Sequence, residues 1–330
     1  MKLQRTSISN SSGWHTTWHN HIQVLKKRNY YVVKDVSIGG DAPKDFIREY
    51  QYGQVRKAKR GKWTAYIAKV GHKWYPMESI TEHLLNQIGG VLGLNIAFSK
   101  LAIVNEQIRF FSRYFLEKNE QLIHGAQIYS AFLNGDDAFV ESVEQQNLSP
   151  KLFTFQFAES AIKHSFPNQW EELLENFVKL LIFDAIVGNS DRHFYNWGVI
   201  TDIEGNKSPQ FAPIYDTARG LFWNEKEEKI RKLCTDSSSK DTFLRKYVEK
   251  SVPKTGWENR ETVNHFDLVK LLHSQDERYR PVCENLVTNE NLTKIYALLE
   301  KEFKPLMSQE RMTIIKKCLL MRFQALTIHT

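Results

Sequence analysis

Two aspartates and an asparagine are spaced along the chain as a phosphoryl-transfer site requires. Asp191 precedes Asn196 by five residues, and Asp216 follows after a predicted hairpin. Metal-assisted phosphoryl transfer needs an aspartate that orients and deprotonates the attacking hydroxyl, and oxygen ligands that hold Mg²⁺. Asp191 is therefore the candidate base, and Asn196 and Asp216 are the candidate Mg²⁺ ligands. His193 lies beside the base and is expected to help set the geometry of the site.

A long amphipathic helix is predicted immediately before these residues. Apolar residues recur at helical spacing over 170–186, which indicates one buried helix face. Asn168 is the expected N-terminal cap, and Glu171 stands where the acid of a capping box would. Gly188 can adopt the left-handed conformation that ends a helix. The helix thus delivers the polar loop 189–196 at a defined point.

A hairpin is predicted to follow this loop. Residues 197–200 and 210–215 read as two strands joined by a turn. Because Asn196 precedes the first strand and Asp216 follows the second, the hairpin is expected to place these two side chains close together. Loops held between buried elements in this way often carry chemistry.

The chain resembles the HipA-like serine/threonine kinases, in which Gly-Asn is followed by Asp-x-His-x-x-Asn and then by Ala-Pro-x-Tyr-Asp. The corresponding segments are 188–189, 191–196 and 212–216. Two departures from the general protein-kinase pattern point to this branch. Asp-Arg-His replaces His-Arg-Asp around the base, and Asp-Thr-Ala stands in place of Asp-Phe-Gly. The resemblance implies a two-lobed, protein-kinase-like α+β fold that binds ATP and Mg²⁺ and transfers the γ-phosphate to a hydroxyl of a protein substrate.

The resemblance also assigns a phosphate loop. In the family this loop has the form Ser-x-x-Gly-x-x-x-Lys, which Ser37, Gly40 and Lys44 match. Gly39 and Gly40 would let backbone N–H groups approach the phosphates closely, and Lys44 would add positive charge. Family members can phosphorylate a serine in this loop, so Ser37 is the candidate autophosphorylation site. A serine that hydrogen-bonds within a glycine turn is the alternative reading of Ser37.

Three further residues are assigned to the nucleotide by the resemblance. Residues 63–70 alternate as in a strand, and this strand carries Lys69. In kinases such a lysine neutralises the phosphates and pairs with a glutamate on the next helix, for which Glu82 is the candidate. A hairpin is predicted around Asn105–Glu106. Its second strand ends at Arg113, which the resemblance places at the hinge that meets adenine.

The predicted domain organisation is a strand-rich N-lobe over residues 1–115 and a mostly helical C-lobe over 116–330. The polar segment 234–241 is expected to be mobile. Residues 1–34 carry several serines, histidines and tryptophans, and are expected to form a surface or partner-facing segment rather than a metal site. The core candidates of the early C-lobe are aromatic or aliphatic. They are Phe132, Phe139, Leu152, Phe153 and Phe157.

The resemblance also bears on partners. It implies a toxin-like role with a small DNA-binding antitoxin partner. The family's N-terminal subdomain has no counterpart in the roughly 36 residues before the phosphate loop. We therefore expect a short form of the family.

Composition is that of an ordinary globular protein, with 330 residues, 42% hydrophobic and 25% charged. No apolar run is long enough to span a bilayer. Three cysteines without C-x-x-C spacing predict reduced thiols in a cytoplasmic protein. The net charge of +7 favours anionic ligands such as ATP or nucleic acid. We expect the basic run 56–62 to be a solvated loop or strand tip, and we expect no direct nucleic-acid binding.

Two other functions remain open from the sequence. A catalytically silent binding module could keep the kinase shape, although the complete set of candidate residues argues against it. A metallophosphoesterase is the second alternative, because 188–191 is similar to a Gly-Asn-His-Asp metal loop. Ser190 stands where that loop has its ligand histidine, and no upstream Asp-x-His is found.

Overall fold

The computed structural model describes residues 2–15, 20–34, 36 and 42–327. A six-stranded sheet and one helix form the first part of the chain. Their bounds are β1 (Gln23–Val24), β2 (Tyr30–Val32), β3 (Lys44–Glu49), β4 (Thr64–Lys69), α1 (Met77–Val91), β5 (Ser99–Val104) and β6 (Gln107–Arg113). The strand order is β1-β5-β6-β4-β3-β2, and all neighbours are antiparallel except β1 and β5.

Alternation of side chains along β4 explains which face of the sheet carries the charged side chain of Lys69. Tyr66 and Ala68 are buried against Leu3 and Leu25, which cover one face of the sheet. Because successive strand residues point to opposite faces, Lys69 points to the face on which α1 packs. The hairpin predicted around residues 105–106 is confirmed, since β5 and β6 pair up to their junction.

The rest of the chain is mostly helical. Its elements are β7 (Glu120–His124), α2 (Gly125–Phe132), α3 (Asp137–Gln145), α4 (Ser149–Leu152), α5 (Phe155–Ser165), α6 (Trp170–Val187), β8 (Gly198–Asp202), β9 (Gln210–Phe211), α7 (Glu227–Thr235), α8 (Ser237–Glu249), α9 (His265–Gln275), α10 (Arg280–Leu286), α11 (Asn289–Leu298) and α12 (Gln309–Leu326). Strands β7, β8 and β9 form a small antiparallel sheet. The boundary expected near residue 115 falls between β6 and β7, and the assignment of 1–115 and 116–330 to two lobes stays a prediction.

Helix α6 is the centre of this helical part. Its apolar face is buried as predicted, and Phe177, Val178 and Ile186 are fully enclosed. The helix ends at Gly188, whose φ of 70° is the predicted left-handed conformation. The expected cap at Asn168 is wrong. The residue before the first helical turn is Gln169, which accepts the first backbone hydrogen bond and gives no side-chain cap.

The first residues of the chain connect the two parts of the molecule. The backbone N–H of Ser12 donates to Tyr75 O at 3.1 Å, and Ser12 O accepts from the N–H of Glu227 at 2.9 Å. Trp14 Nε1 donates to Leu306 O at 2.8 Å. Among residues 2–15 only Leu3 and Ser12 are buried, so this stretch lies on the surface as expected while it bridges the two parts. A partner-facing role for it stays a prediction.

Two further expectations concern the helical part. Phe139 and Leu152 are 40% and 41% exposed, so the expectation that they are core residues is wrong. The segment 234–241 is helical on both sides of Asp236, and its mobility stays a prediction. Its polar residues serve as a helix start, because the Asp236 side chain accepts from the N–H groups of Ser238 and Ser239 at the beginning of α8.

The exposure of a basic run, the pairing of the cysteines and the character of the helices bear on three sequence expectations within the described residues. The basic run 56–62 is exposed in the connection between β3 and β4. Cys234, Cys283 and Cys318 are all unpaired. Within the described ranges, no helix combines the length and the apolar character needed to cross a membrane.

We predict that Gly188→Ala destabilises the protein more than Gly205→Ala does. Both glycines have φ near 70°, so each alanine incurs about 1–2 kcal/mol for a left-handed backbone. A Cβ on Gly188 would also lie 3.1 Å from Arg322 Nη1, whereas Gly205 has open space around it. Urea unfolding should show a larger loss of free energy of unfolding for Gly188→Ala. Equal losses would contradict the proposed crowding.

Candidate active site

A cavity of about 620 Å³ lies between the first sheet and the helical part. Its size is in the usual range for a small-molecule site. Every predicted site residue within the described ranges lines it. These residues are Lys44, Lys69, Glu82, Arg113, Asp191, His193, Asn196 and Asp216. Ser37, Gly39 and Gly40 lie outside the described residues.

Lys69 stands between two carboxylates. Its Nζ lies 2.5 Å from Glu82 Oε1 and 2.5 Å from Asp216 Oδ1. β4 supplies the lysine, α1 supplies Glu82, and the segment after β9 supplies Asp216. Lys44 is the direct neighbour of Lys69 across the sheet. The structure thus brings together four residues that are far apart in the sequence.

Burial and charge shift the pKa values of this cluster. Burial by itself would lower the pKa of Lys69, but the carboxylates of Asp216 and Glu82 outweigh it, and the pKa is raised. The charge of Lys69 holds the pKa of Asp216 well below its usual range. Burial raises the pKa of Glu82 to about 7, against the opposing effect of Lys69. Lys69 and Asp216 are therefore charged at neutral pH, whereas Glu82 titrates there.

The loop after α6 orients Asn196. Its amide nitrogen Nδ2 donates to Asp191 O at 2.9 Å and lies 3.1 Å from His193 Nε2. Because the amide nitrogen makes these contacts, the amide oxygen of Asn196 is the end of the side chain available to a ligand. The carboxylate of Asp191 is 41% exposed at the cavity wall. The loop therefore presents a carboxylate and an amide oxygen to the same space.

A buried ion pair holds this loop in place. Arg192 Nε and Nη2 donate to the two carboxylate oxygens of Asp184, at 2.9 and 3.1 Å. Arg192 Nη1 donates to Asn196 O at 2.7 Å and to Tyr215 O at 2.6 Å. Asn189 Nδ2 also donates to Asp184, at 2.8 Å. One guanidinium thus joins helix α6, the loop before β8 and the residue before Asp216.

Helix α1 is fastened to the segment around Asp216. Thr217 Oγ1 donates to Asn86 Oδ1 at 2.6 Å, and Asn86 Nδ2 donates to Ala97 O at 3.0 Å. The N–H of Ala97 donates to Ile214 O at 3.0 Å, and the N–H of Ile214 donates to Asn95 O at 2.8 Å. These bonds connect the helix that carries Glu82 to the segment that carries Asp216.

Arg219 is a site residue that the sequence reasoning missed. Its Nε lies 3.5 Å from Asp191 Oδ2, and its guanidinium lies 4.0 Å from the centre of the Trp223 ring. Arg219 is thus the cation next to the candidate base. Asp184 and Arg192 were also missed as a pair. The sequence signal for that pair was Asp184, the single acid within the apolar segment 180–187, because a buried charge needs a partner of opposite charge.

The residues present fit a magnesium nucleotide. Asp216 offers a carboxylate, and Asn196 offers the amide oxygen that its own hydrogen bonds leave over. No group of three or more His, Cys, Asp or Glu that could hold a metal ion is found among the residues described. Mg²⁺ commonly takes one or two protein ligands and completes its shell with phosphate and water. Lys44 and Lys69 provide positive charge on the sheet side of the cavity.

Comparison with known proteins identifies the family and the fold. A family model described as the HipA-like C-terminal domain matches residues 36–288. The proinflammatory kinase CtkA of Helicobacter pylori aligns over 91% of this chain and 94% of its own, with a TM-score of 0.69 and 16% identity. HipA of Shewanella oneidensis MR-1, solved with HipB and operator DNA, aligns over 91% and 72%, with a TM-score of 0.51 and 14% identity. No curated protein matches the chain. The expected two-lobed, protein-kinase-like α+β fold is confirmed.

We predict that Arg192→Met destabilises the protein by about 3–5 kcal/mol, because the buried Asp184 carboxylate loses its partner. Lys179 lies on α6, the helix that carries Asp184. Lys179→Met breaks only the exposed pair with Glu175 and should lower the free energy of unfolding by about 0.5 kcal/mol. Urea unfolding of both variants measures the difference.

The double variant Asp184→Leu/Arg192→Met separates stability from positioning. Removing both charges should restore much of the stability. It should not restore Mg·ATP binding, because the carbonyls of Asn196 and Tyr215 have lost their shared donor. Full nucleotide affinity in the stable double variant would contradict the positioning role of Arg192.

We predict that affinity for Mg·ATP rises as the pH is raised through about 7. Glu82 is neutral below its pKa and charged above it, and the charged form is the one that pairs with Lys69. Glu82→Gln is neutral at every pH and should lack this rise. The phosphates of ATP titrate in a similar range, so the difference between the two profiles isolates Glu82. Calorimetric titration from pH 6 to 8 tests this, and identical profiles would exclude Glu82 as the titrating group.

Proposed function

Because the chain belongs to the family of HipA-like C-terminal domains, we propose that it is an ATP- and Mg²⁺-dependent serine/threonine protein kinase. The observation that carries the proposal is the meeting of Lys69, Glu82 and Asp216 with Asp191 and Asn196 in one cavity. Phosphoryl transfer asks for little covalent chemistry from the protein. Positioning and charge neutralisation by such a set are therefore what the reaction needs.

Each residue of the set has a separate role in this proposal. ATP with Mg²⁺ supplies the γ-phosphoryl group that is transferred. Lys69 directs its charge toward the phosphates and is oriented by Glu82. Asp216 and Asn196 supply oxygen ligands for the metal. Asp191 orients the acceptor hydroxyl and takes its proton.

The remaining predicted residues support these roles. Lys44 adds charge beside Lys69, and Gly39 and Gly40 would let the phosphate loop approach the nucleotide. Arg113 lies at the end of β6 on the cavity wall, which fits a place near the adenine. We assign His193 to positioning, since it contacts the amide of Asn196.

A catalytically silent kinase-fold module is the competing function. Such a module could lose the base, the metal ligands or the lysine without consequence for binding. This chain keeps all of them, and the geometry of each is built by specific contacts such as the four donations from Arg192. That retention supports an active enzyme.

Partner and location are part of the same proposal. The Shewanella HipA was solved with HipB and operator DNA. By extension, we propose a small antitoxin-like protein partner and a toxin-like role for this chain, in addition to a protein substrate. We propose a cytoplasmic location, where the three unpaired cysteines stay reduced, and no direct binding to nucleic acid or membrane.

We predict that Asp191→Asn lowers phosphoryl transfer by about a hundredfold or more, because general-base catalysis is worth about 10²–10⁴-fold. Its affinity for Mg·ATP should change little, since the base acts on the acceptor hydroxyl. Asp216→Asn should lose both transfer and affinity. Transfer of radiolabelled phosphate to casein and to the chain itself measures turnover, and calorimetry measures binding.

Asp137→Asn is the matched control, because Asp137 is exposed on α3. It should behave as the unaltered protein does. Near-normal turnover of Asp191→Asn would overturn the assignment of the base. Mass spectrometry of the same samples tests Ser37. Autophosphorylation predicts phosphate on Ser37 in the active protein and none in Asp191→Asn.

A further inference from the structure

A second cavity of about 350 Å³ lies next to the candidate base. We call it the acceptor-side cleft and define it by its lining. The lining residues are Gly188, Ser190, Arg219, Trp223, Asn224, Phe243, Lys246, Tyr247, Lys250 and Ser251. Arg219 lines both this cleft and the nucleotide cavity. The roles proposed above for the nucleotide and the metal leave the cleft unused.

The rim of the acceptor-side cleft is basic. Lys246 lies in the last turn of α8, Lys250 directly follows the helix, and Arg219 lines the same cleft from the segment after Asp216. No aspartate or glutamate lines the cleft. Within the described ranges, neither lysine forms an ion pair. Two like charges at this spacing repel each other, which an anion between them would relieve.

A buried cation lies beneath the cleft. Arg322 is fully buried, and its Nη2 donates to Ser251 Oγ at 3.2 Å. Its guanidinium also lies against Gly188, so it touches two lining residues. Its Nε donates to Ala185 O at 2.7 Å, whereas Nη1 has no hydrogen-bond partner in the described structure. A buried charge without a carboxylate partner adds positive potential to the floor of the cleft.

The walls of the cleft are firmly held. Tyr247 OH accepts from the N–H of Phe222 at 3.0 Å, and the two rings are 4.2 Å apart. Phe222 O accepts from the buried Arg311 at 3.0 Å. Leu221 and Phe222 both have positive φ, a strained conformation that such surroundings maintain. The walls of the cleft are therefore fixed by contacts within the protein, next to the loop that carries Asp191.

We propose that the acceptor-side cleft binds an anionic side chain of the protein substrate, a carboxylate or a phosphate, next to the hydroxyl that is phosphorylated. This inference rests on the proposed kinase function. Arg219 connects the two sites, because it contacts Asp191 and also lines the cleft. An anion drawn to Lys246 and Lys250 would hold the acceptor segment beside the base. The enzyme would thus select serines or threonines that have acidic or phosphorylated neighbours.

Peptide binding tests this without requiring catalysis. Fluorescein-labelled peptides of one sequence would carry a single serine flanked by glutamate, by phosphoserine or by glutamine, and anisotropy would report affinity. We expect the glutamate and phosphoserine peptides to bind more tightly than the glutamine peptide. Their relative affinities distinguish the two sources of negative charge. Lys246→Gln/Lys250→Gln should lower the affinity of the anionic peptides by about tenfold, because two partly exposed ion pairs with the peptide are lost.

Lys240→Gln/Arg245→Gln is the charge-matched control, because both residues lie on α8 outside the cleft. It should retain the preference for anionic peptides. Equal affinity for all three peptides, or an equal loss in both double variants, would overturn the proposal. Tighter binding of a labelled oligouridine that depends on Lys246 and Lys250 would also overturn it. Thermal melting shows that each variant is folded.

The experiments distinguish a failure of the kinase proposal from a failure of the cleft proposal. If the protein transfers no phosphate but keeps the lysine-dependent preference for anionic peptides, the kinase assignment is wrong and the cleft is an anion site. If it phosphorylates casein without that preference, the kinase assignment stands and the cleft proposal is wrong.

Discussion

The bidentate pair of Arg192 and Asp184 is the interaction on which the candidate site depends. Removing two charges from water costs several kcal/mol for each ion, and only good geometry with further hydrogen bonds offsets that cost. Here the guanidinium makes four donations, two of them to the carbonyls of Asn196 and Tyr215. Two buried charges that would each be unfavourable alone therefore fix the loop and the hairpin relative to helix α6. The positions of Asp191 and Asp216 follow from it.

The Lys69 cluster has a different electrostatic character. Lys69 faces two carboxylates and has Lys44 beside it, so these four groups are neutral together when Glu82 is charged and carry net positive charge when Glu82 takes up a proton. If a metal ion were coordinated by Asp216, Lys69 would pair with Glu82 and the phosphates of the nucleotide. The cluster can therefore exchange partners without leaving any of its charges unpaired, which suits a site that must bind and release a charged ligand.

Local patterns predicted much of the fold and the site. Helical periodicity predicted α6, and the glycine that follows it predicted its end at Gly188. Motif spacing and the family resemblance together predicted the eight residues that line one cavity. The two omissions from the site have a common cause. The Arg192 and Asp184 pair and the contact of Arg219 with Asp191 depend on tertiary placement, which spacing does not report. The polar segment 234–241 became helical because Asp236 acts as a cap, so its composition favoured a helix start as much as a loop.

The hydrogen bonds that join Asn86, Ala97, Ile214 and Thr217 have a consequence for the cost of ligand binding. They tie the second half of helix α1 to the residues on both sides of Asp216. The separation of Glu82 and Asp216 is therefore set by contacts within the protein. An incoming nucleotide would meet these two carboxylates already in place, which reduces the binding free energy spent on ordering them.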